Sequence, residues 1–120
     1  MKIDLAKANA AIDEYLRVLT DSRSIGPQIA GRTWIMALLE RHGIIESARK
    51  VHVLDQHALW YACLILTKRV REVSRTENKI LRVRRGGKTT ETTIRRLRSG
   101  NLRDTVVAPR LDRILAENSQ

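Results

Sequence analysis

Four side chains of the kinds that hold metals or attack carbonyls stand near the middle of the chain: His42, His52, His57 and Cys63. Their spacing does not assemble the ligand pattern of a zinc site, so no metal site is expected. Nucleophilic catalysis needs a nucleophile, a base and a group that orients the base. His57 lies six residues before Cys63 and off its helical face, so the two do not form such a pair. The stretch RRGGKTT has Gly, Lys and Thr in the order found at the end of a phosphate-binding loop. That loop also needs an earlier glycine at a fixed offset, a buried strand before it and a helix after it. The glycine is missing, and 89–93 reads as extended, so an NTPase is rejected. The adjacent acids Asp13 and Glu14 fit a solvated helix surface. No residue set calls for a catalytic role or a cofactor, and the expectation is a protein that is not an enzyme.

The remaining chemistry is cationic. The chain of 120 residues carries a formal charge of +10, and the excess is local. Residues 1–60 hold 8 basic and 7 acidic side chains, whereas 61–120 hold 15 and 6. Within 79–98, KILRVRRGGKTTETTIRRLR, eight residues are Lys or Arg and Glu91 is the one acid. Such a concentration reads as an electrostatic footprint for a polyanion. The site residues expected to bind nucleic acid are Arg82, Arg84, Arg85, Lys88, Arg95, Arg96 and Arg98, with Lys68, Arg69, Arg75 and Lys79 as secondary candidates. Arg binds phosphate through two parallel N–H donors, and Thr hydroxyls add neutral ones. The stretch has no aromatic residue, which disfavours single strands held by base stacking and favours duplex DNA. RNA stays formally open. A competing reading pairs some of these arginines with acids of a neighbouring subunit.

The elements that must position this charge are helical. Apolar residues make up 42 % of the chain, enough for a folded core, and the near-absence of aromatics leaves Leu, Ile, Val and Ala to build it. Residues 4–20 repeat apolar side chains at steps of three and four, with Asp4 as a cap. A second helix is expected over 27–42, opened by Pro27 and stopped by Gly43. The connector 44–53 has room for one helical turn. A third helix is expected over 55–75, capped by Asp55, its first half surrounded by protein and its second half leaving the core. Around Gly86-Gly87, 80–85 and 88–94 read as a β-hairpin or extended segment. The alternative is a third helix that continues to Arg85, because Ile80 and Leu81 extend its stripe. Pro109 opens a short final helix over 109–117. The fold class is thus mainly α, in one domain. It has a helical core to about 78, a basic DNA-contacting segment over 79–103 and a C-terminal helix or tail over 104–120.

The N-terminal residues lack the apolar run of a signal peptide, and no apolar stretch approaches the length of a membrane span. Cys63 has no partner for a disulfide. A soluble cytoplasmic protein is expected, in the host cytoplasm if the chain is viral. A helix-turn-helix fits neither 28–49 nor 89–115, and the start of the expected third helix is too apolar to enter a groove. A small regulator with 80–94 as a basic wing is one alternative. A phage-encoded basic protein that inhibits an acidic host protein is another.

The run GPQIAGRTWIMALLERHGII, followed by VLDQHALWYACLI, resembles the central region of small terminase subunits of tailed bacteriophages. The matching positions are Pro27, Gly31, Trp34, Leu38, Leu39, Gly43, Ile44, Asp55, Leu59, Tyr61 and Ala62, within residues 26–88. The resemblance implies a non-enzymatic, ring-forming homo-oligomer. Such a protein binds viral double-stranded DNA for packaging and brings it to a large terminase ATPase–nuclease subunit. Many weak phosphate contacts around a ring would add through effective concentration.

Overall fold

A computed structural model describes residues 2–20, 32–84 and 107–119; over 32–34 and 80–84 the description is of backbone alone. The described residues form five α-helices and one short 3-10 turn. These are α1 (Leu5–Thr20), α2 (Arg32–Arg41), the 3-10 turn (Ala48–Lys50), α3 (Val53–Leu66), α4 (Val70–Arg84) and α5 (Ala108–Glu117). The protein is mainly helical, as expected.

α1 begins where Asp4 predicts. Its Oδ1 accepts from the backbone N–H groups of Ala6 (2.9 Å) and Lys7 (3.3 Å), two donors with no partner inside the helix. The buried stripe of α1 is Ala8, Ala11, Ile12, Tyr15 and Leu19. The start of the second expected helix, 27–31, lies outside the described residues. α2 ends as predicted at Gly43, which has φ of +72°. The Gly43 N–H donates to the Glu40 carbonyl and the Ile44 N–H to the Leu39 carbonyl. This paired closure uses glycine's freedom at positive φ.

Residues 44–52 hold the 3-10 turn, anchored from two sides. The Ala48 N–H donates to Glu40 of α2 at 2.7 Å, and the Gln56 amide of α3 donates to the Ala48 and Val51 carbonyls. α3 then starts at Val53 and not at Asp55. Its cap is His52, whose Nδ1 accepts from the Leu54 N–H at 3.1 Å. Asp55 instead sits in the first turn and pairs with Arg110 of α5 at 3.2 Å. Every residue from 58 to 64 is buried, so this part of α3 is surrounded by protein, as its unbroken apolar run predicts. α3 packs against α1, α2, α4 and α5.

The single helix expected over 55–75 is two helices. α3 stops at Leu66, and α4 starts at Val70 after a three-residue turn. The Lys68 N–H donates to the Ile65 carbonyl and the Arg69 N–H to the Leu64 carbonyl, the same closure seen at Gly43. Here the residue at positive φ is Lys68, at 59°.

The expected first strand of the hairpin is also corrected. Residues 80–84 are the last turns of α4. Lys, Leu and Arg are strong helix formers, and no breaker stands between Val70 and Gly86. Elongating an existing helix is cheaper than nucleating a new element, so two cycles of alternation do not stop it. The second strand, 88–94, lies outside the described residues.

α5 begins with Pro109 in its first turn and buries Leu111 and Ile114 on the common core. Asn118 accepts from the Ile3 N–H at 2.8 Å and so joins the two ends of the described fold.

Candidate nucleic-acid interface

α4 is amphipathic in a simple sense. Val73 and Ser74 are buried, and Val70 packs partly on the core. Arg71, Arg75 and Lys79 are exposed. At 3.6 residues per turn these three cations fall within an arc of about 80°, on the side away from Val73. They form a row about 12 Å long at 1.5 Å per residue. Arg82 is the next position of that row in the backbone register. Lys68 is exposed in the turn just before the helix. No side-chain hydrogen bond or ion pair with a described residue engages Lys68, Arg71, Arg75 or Lys79.

Arg69 is different. Its guanidinium meets Asp13 of α1 at 2.6 Å and Glu72 at 2.8 Å, and it donates to the Asn9 carbonyl and side chain at 3.3 Å. The hydrogen bonds to Glu72 and Asp13 hold its pKa above the ordinary arginine value, and the same contact lowers that of Glu72. Arg69 therefore fastens the turn to α1. Glu72, the acid next to the row, has its charge partly offset by this guanidinium, which it shares with Asp13. A second tie joins α1 and α4, where the Tyr15 hydroxyl donates to Glu77 at 3.4 Å.

Of the sequence-predicted site residues, Lys68, Arg75 and Lys79 stand exposed at or along α4, and Arg69 is spent on carboxylates. Arg82 and Arg84 belong to its last turn. Arg85, Lys88, Arg95, Arg96 and Arg98 lie outside the described residues. Arg71 was missed, although its spacing of four from Arg75 would have found it once α4 was treated as a helix in its own right.

Other chemistry is sparse. Among the described residues, no group of three or more His, Cys, Asp or Glu side chains converges as metal ligands would. Burial pushes the Cys63 thiol up to about 12, so it is protonated and a poor nucleophile at neutral pH. His42 and Arg41 both contact Glu14 of α1, which ties α2 to α1. Among the described residues, no helix is long and apolar enough to cross a membrane.

The strained turn makes a prediction of its own. A side chain at positive φ costs about 1–2 kcal/mol, which glycine avoids while losing more chain entropy on folding. Lys68→Gly is therefore expected to stabilise the fold by about 0.5–1 kcal/mol, read as a higher midpoint of thermal unfolding.

The fold and this row of cations define a small helical protein with one basic helix face. No family model, curated protein or solved structure matches the chain.

Proposed function

We propose that the chain is a non-enzymatic DNA-binding protein. The finer reading is a subunit like the small terminases of tailed phages, which recognises viral DNA for packaging and assembles as a homo-oligomer beside a large ATPase–nuclease partner. One observation carries the DNA reading. The unpaired cations of α4 lead directly into the stretch 79–98, where basic residues outnumber acids eight to one. Duplex DNA offers phosphates along such a surface, and each Lys or Arg that meets one releases a counterion. The packaging reading draws on the resemblance over 26–88. Its matching positions Leu38, Leu39, Leu59, Tyr61 and Ala62 are buried core residues here. The short turn between α3 and α4 favours a second reading, a small transcriptional regulator.

If about six cations meet phosphates, the log of affinity falls against the log of salt with a slope of about −5. Changing Arg82, Arg84 and Arg85 together to Ala is expected to weaken binding to all sequences alike and to flatten that slope. Fluorescence anisotropy over a salt series measures both. Native mass spectrometry separates the finer readings: a closed ring of about eight or more subunits supports packaging, and a dimer bound to a palindrome supports the regulator. Absence of duplex binding at low salt rejects both.

A further inference from the structure

We infer that α3, the turn 67–69 and α4 form a helix-turn-helix unit, with α4 as the helix that enters the major groove of duplex DNA and Arg71 and Arg75 as its central contacts. The inference rests on the DNA-binding reading above and moves its centre from the 82–98 stretch to a folded helix.

Four features of the molecule carry it. The turn is short, and both its hydrogen bonds are made, so α4 leaves α3 in a fixed direction. α1 packs on both helices, and it grips α4 through Tyr15–Glu77 and the turn through Asp13–Arg69. This buttress leaves the opposite side of α4 uncovered by the described helices. That side carries Arg71, Arg75 and Lys79, preceded by Lys68, none of their side chains engaged by a described residue. Finally, an α-helix with its side chains is about 10–12 Å across, and the major groove of B-DNA is about 12 Å wide.

The chemistry selects the partner. Arg71 and Arg75 stand in the first two turns of α4, the part of a recognition helix that reaches base edges. A guanidinium can meet guanine O6 and N7 together, while Lys68 and Lys79 at the two ends suit phosphates. A single strand held by stacking needs exposed rings, and among the described side chains the rings, those of Tyr15, Trp60 and Tyr61, are buried. A membrane surface needs an apolar helix face, and α4 spends Val70 and Val73 on the core. Duplex RNA hides its bases in a deep, narrow major groove that side chains cannot read.

The position of Lys68 fits this role. A lysine stands where glycine is the less strained residue, and strain of this kind gathers at functional sites. Lys68→Gly should therefore separate stability from binding: the thermal midpoint rises while affinity for DNA falls a few-fold and the salt slope shrinks by about 1.

The decisive comparison uses the full chain and a panel of labelled duplex DNAs of different defined sequence, with anisotropy read over a salt series. The double variant Arg71→Ala/Arg75→Ala is expected to lose at least about tenfold in affinity with the salt slope little changed, because contacts to base edges displace no phosphate counterion. Both side chains are exposed and Ala is a strong helix former, so its circular dichroism should match the parent. Arg71→Lys/Arg75→Lys should keep the slope and lose preference among sequences, because an ammonium cannot make the bidentate contact. If the parent binds DNA and the double alanine variant binds equally well, α4 is not the groove element, although the DNA-binding reading survives. If the parent binds no duplex at low salt, that reading fails and this inference with it. Equal affinity for duplex RNA and duplex DNA overturns entry into the major groove.

Discussion

Tyr15→Ala is expected to lower the free energy of unfolding by about 4 kcal/mol, within the range for truncating a buried aromatic residue. Tyr15 is 3 % exposed and sits where three helices meet. Its ring lies 5.2 Å from that of Trp60 on α3, tilted by 59°, an arrangement that adds about 0.5–1.5 kcal/mol beyond the buried area. Its hydroxyl donates to Glu77 of α4. Burial first, and then the carboxylate of Glu77, push the phenol far above its ordinary pKa, so it stays a neutral donor at all relevant pH. Tyr15→Phe isolates the hydroxyl and is expected to cost about 1 kcal/mol. Urea unfolding reads both, through a fall in midpoint at unchanged slope. A loss under about 1 kcal/mol for the alanine variant would show that the ring is not part of the core. The effect bears on function because Tyr15 helps set the direction in which α4 leaves the bundle.

The sequence made the helices legible where periodicity and end signals agreed. α1 shows a stripe and an Asp cap, α5 a stripe and a Pro, and both stand at their expected places. The broken third helix was not legible because its two signals disagree. Leu66, Val70 and Val73 continue the stripe of Leu59, Ala62 and Cys63 across the break, and Lys68 is no recognised stop. What ends α3 is a pair of backbone hydrogen bonds, closed at a residue that normally avoids this conformation. His52 was missed as a cap for a related reason, since Ser, Thr, Asp and Asn lead at that position and Asp55 stood nearby.

The candidate site was legible as charge density and not as geometry. Composition located the basic half of the chain, but it could not separate Arg69 from Arg71. That difference depends on Asp13 and Asn9, which the fold brings to Arg69 from a distant part of the chain. It also depends on the helical register of α4, which places Arg71 with Arg75 and Lys79 on the outer side. Once α4 is a separate helix, the objection that its start is too apolar for a groove disappears. The apolar residues in question belong to α3.

Gln56→Glu is expected to destabilise the protein by about 3 kcal/mol or more at neutral pH, although it exchanges one nitrogen for one oxygen. Gln56 is a polar residue only 3 % exposed. Its amide nitrogen donates to the carbonyls of Ala48 at 2.9 Å and Val51 at 2.8 Å, so one side chain holds the connector between α2 and α3. A carboxylate there faces two acceptors and can donate to neither. Protonation restores one donor of the two, so burial drives the new group's pKa upward from the usual carboxylate range. The sign follows: the penalty is smallest below the unfolded pKa, near 4.3, and grows as pH rises through the folded value. Gln56→Leu supplies the comparison. It strands the same two carbonyls, yet it also removes the amide oxygen, which is buried without a hydrogen-bond partner. The two changes partly offset each other, and a pH-independent loss of about 1–2 kcal/mol is expected. Denaturation of both variants at pH 4 and pH 7 tests the argument. A penalty for Gln56→Glu that does not change between those conditions would mean that the introduced carboxyl reaches water, and that the connector is not held by a buried amide.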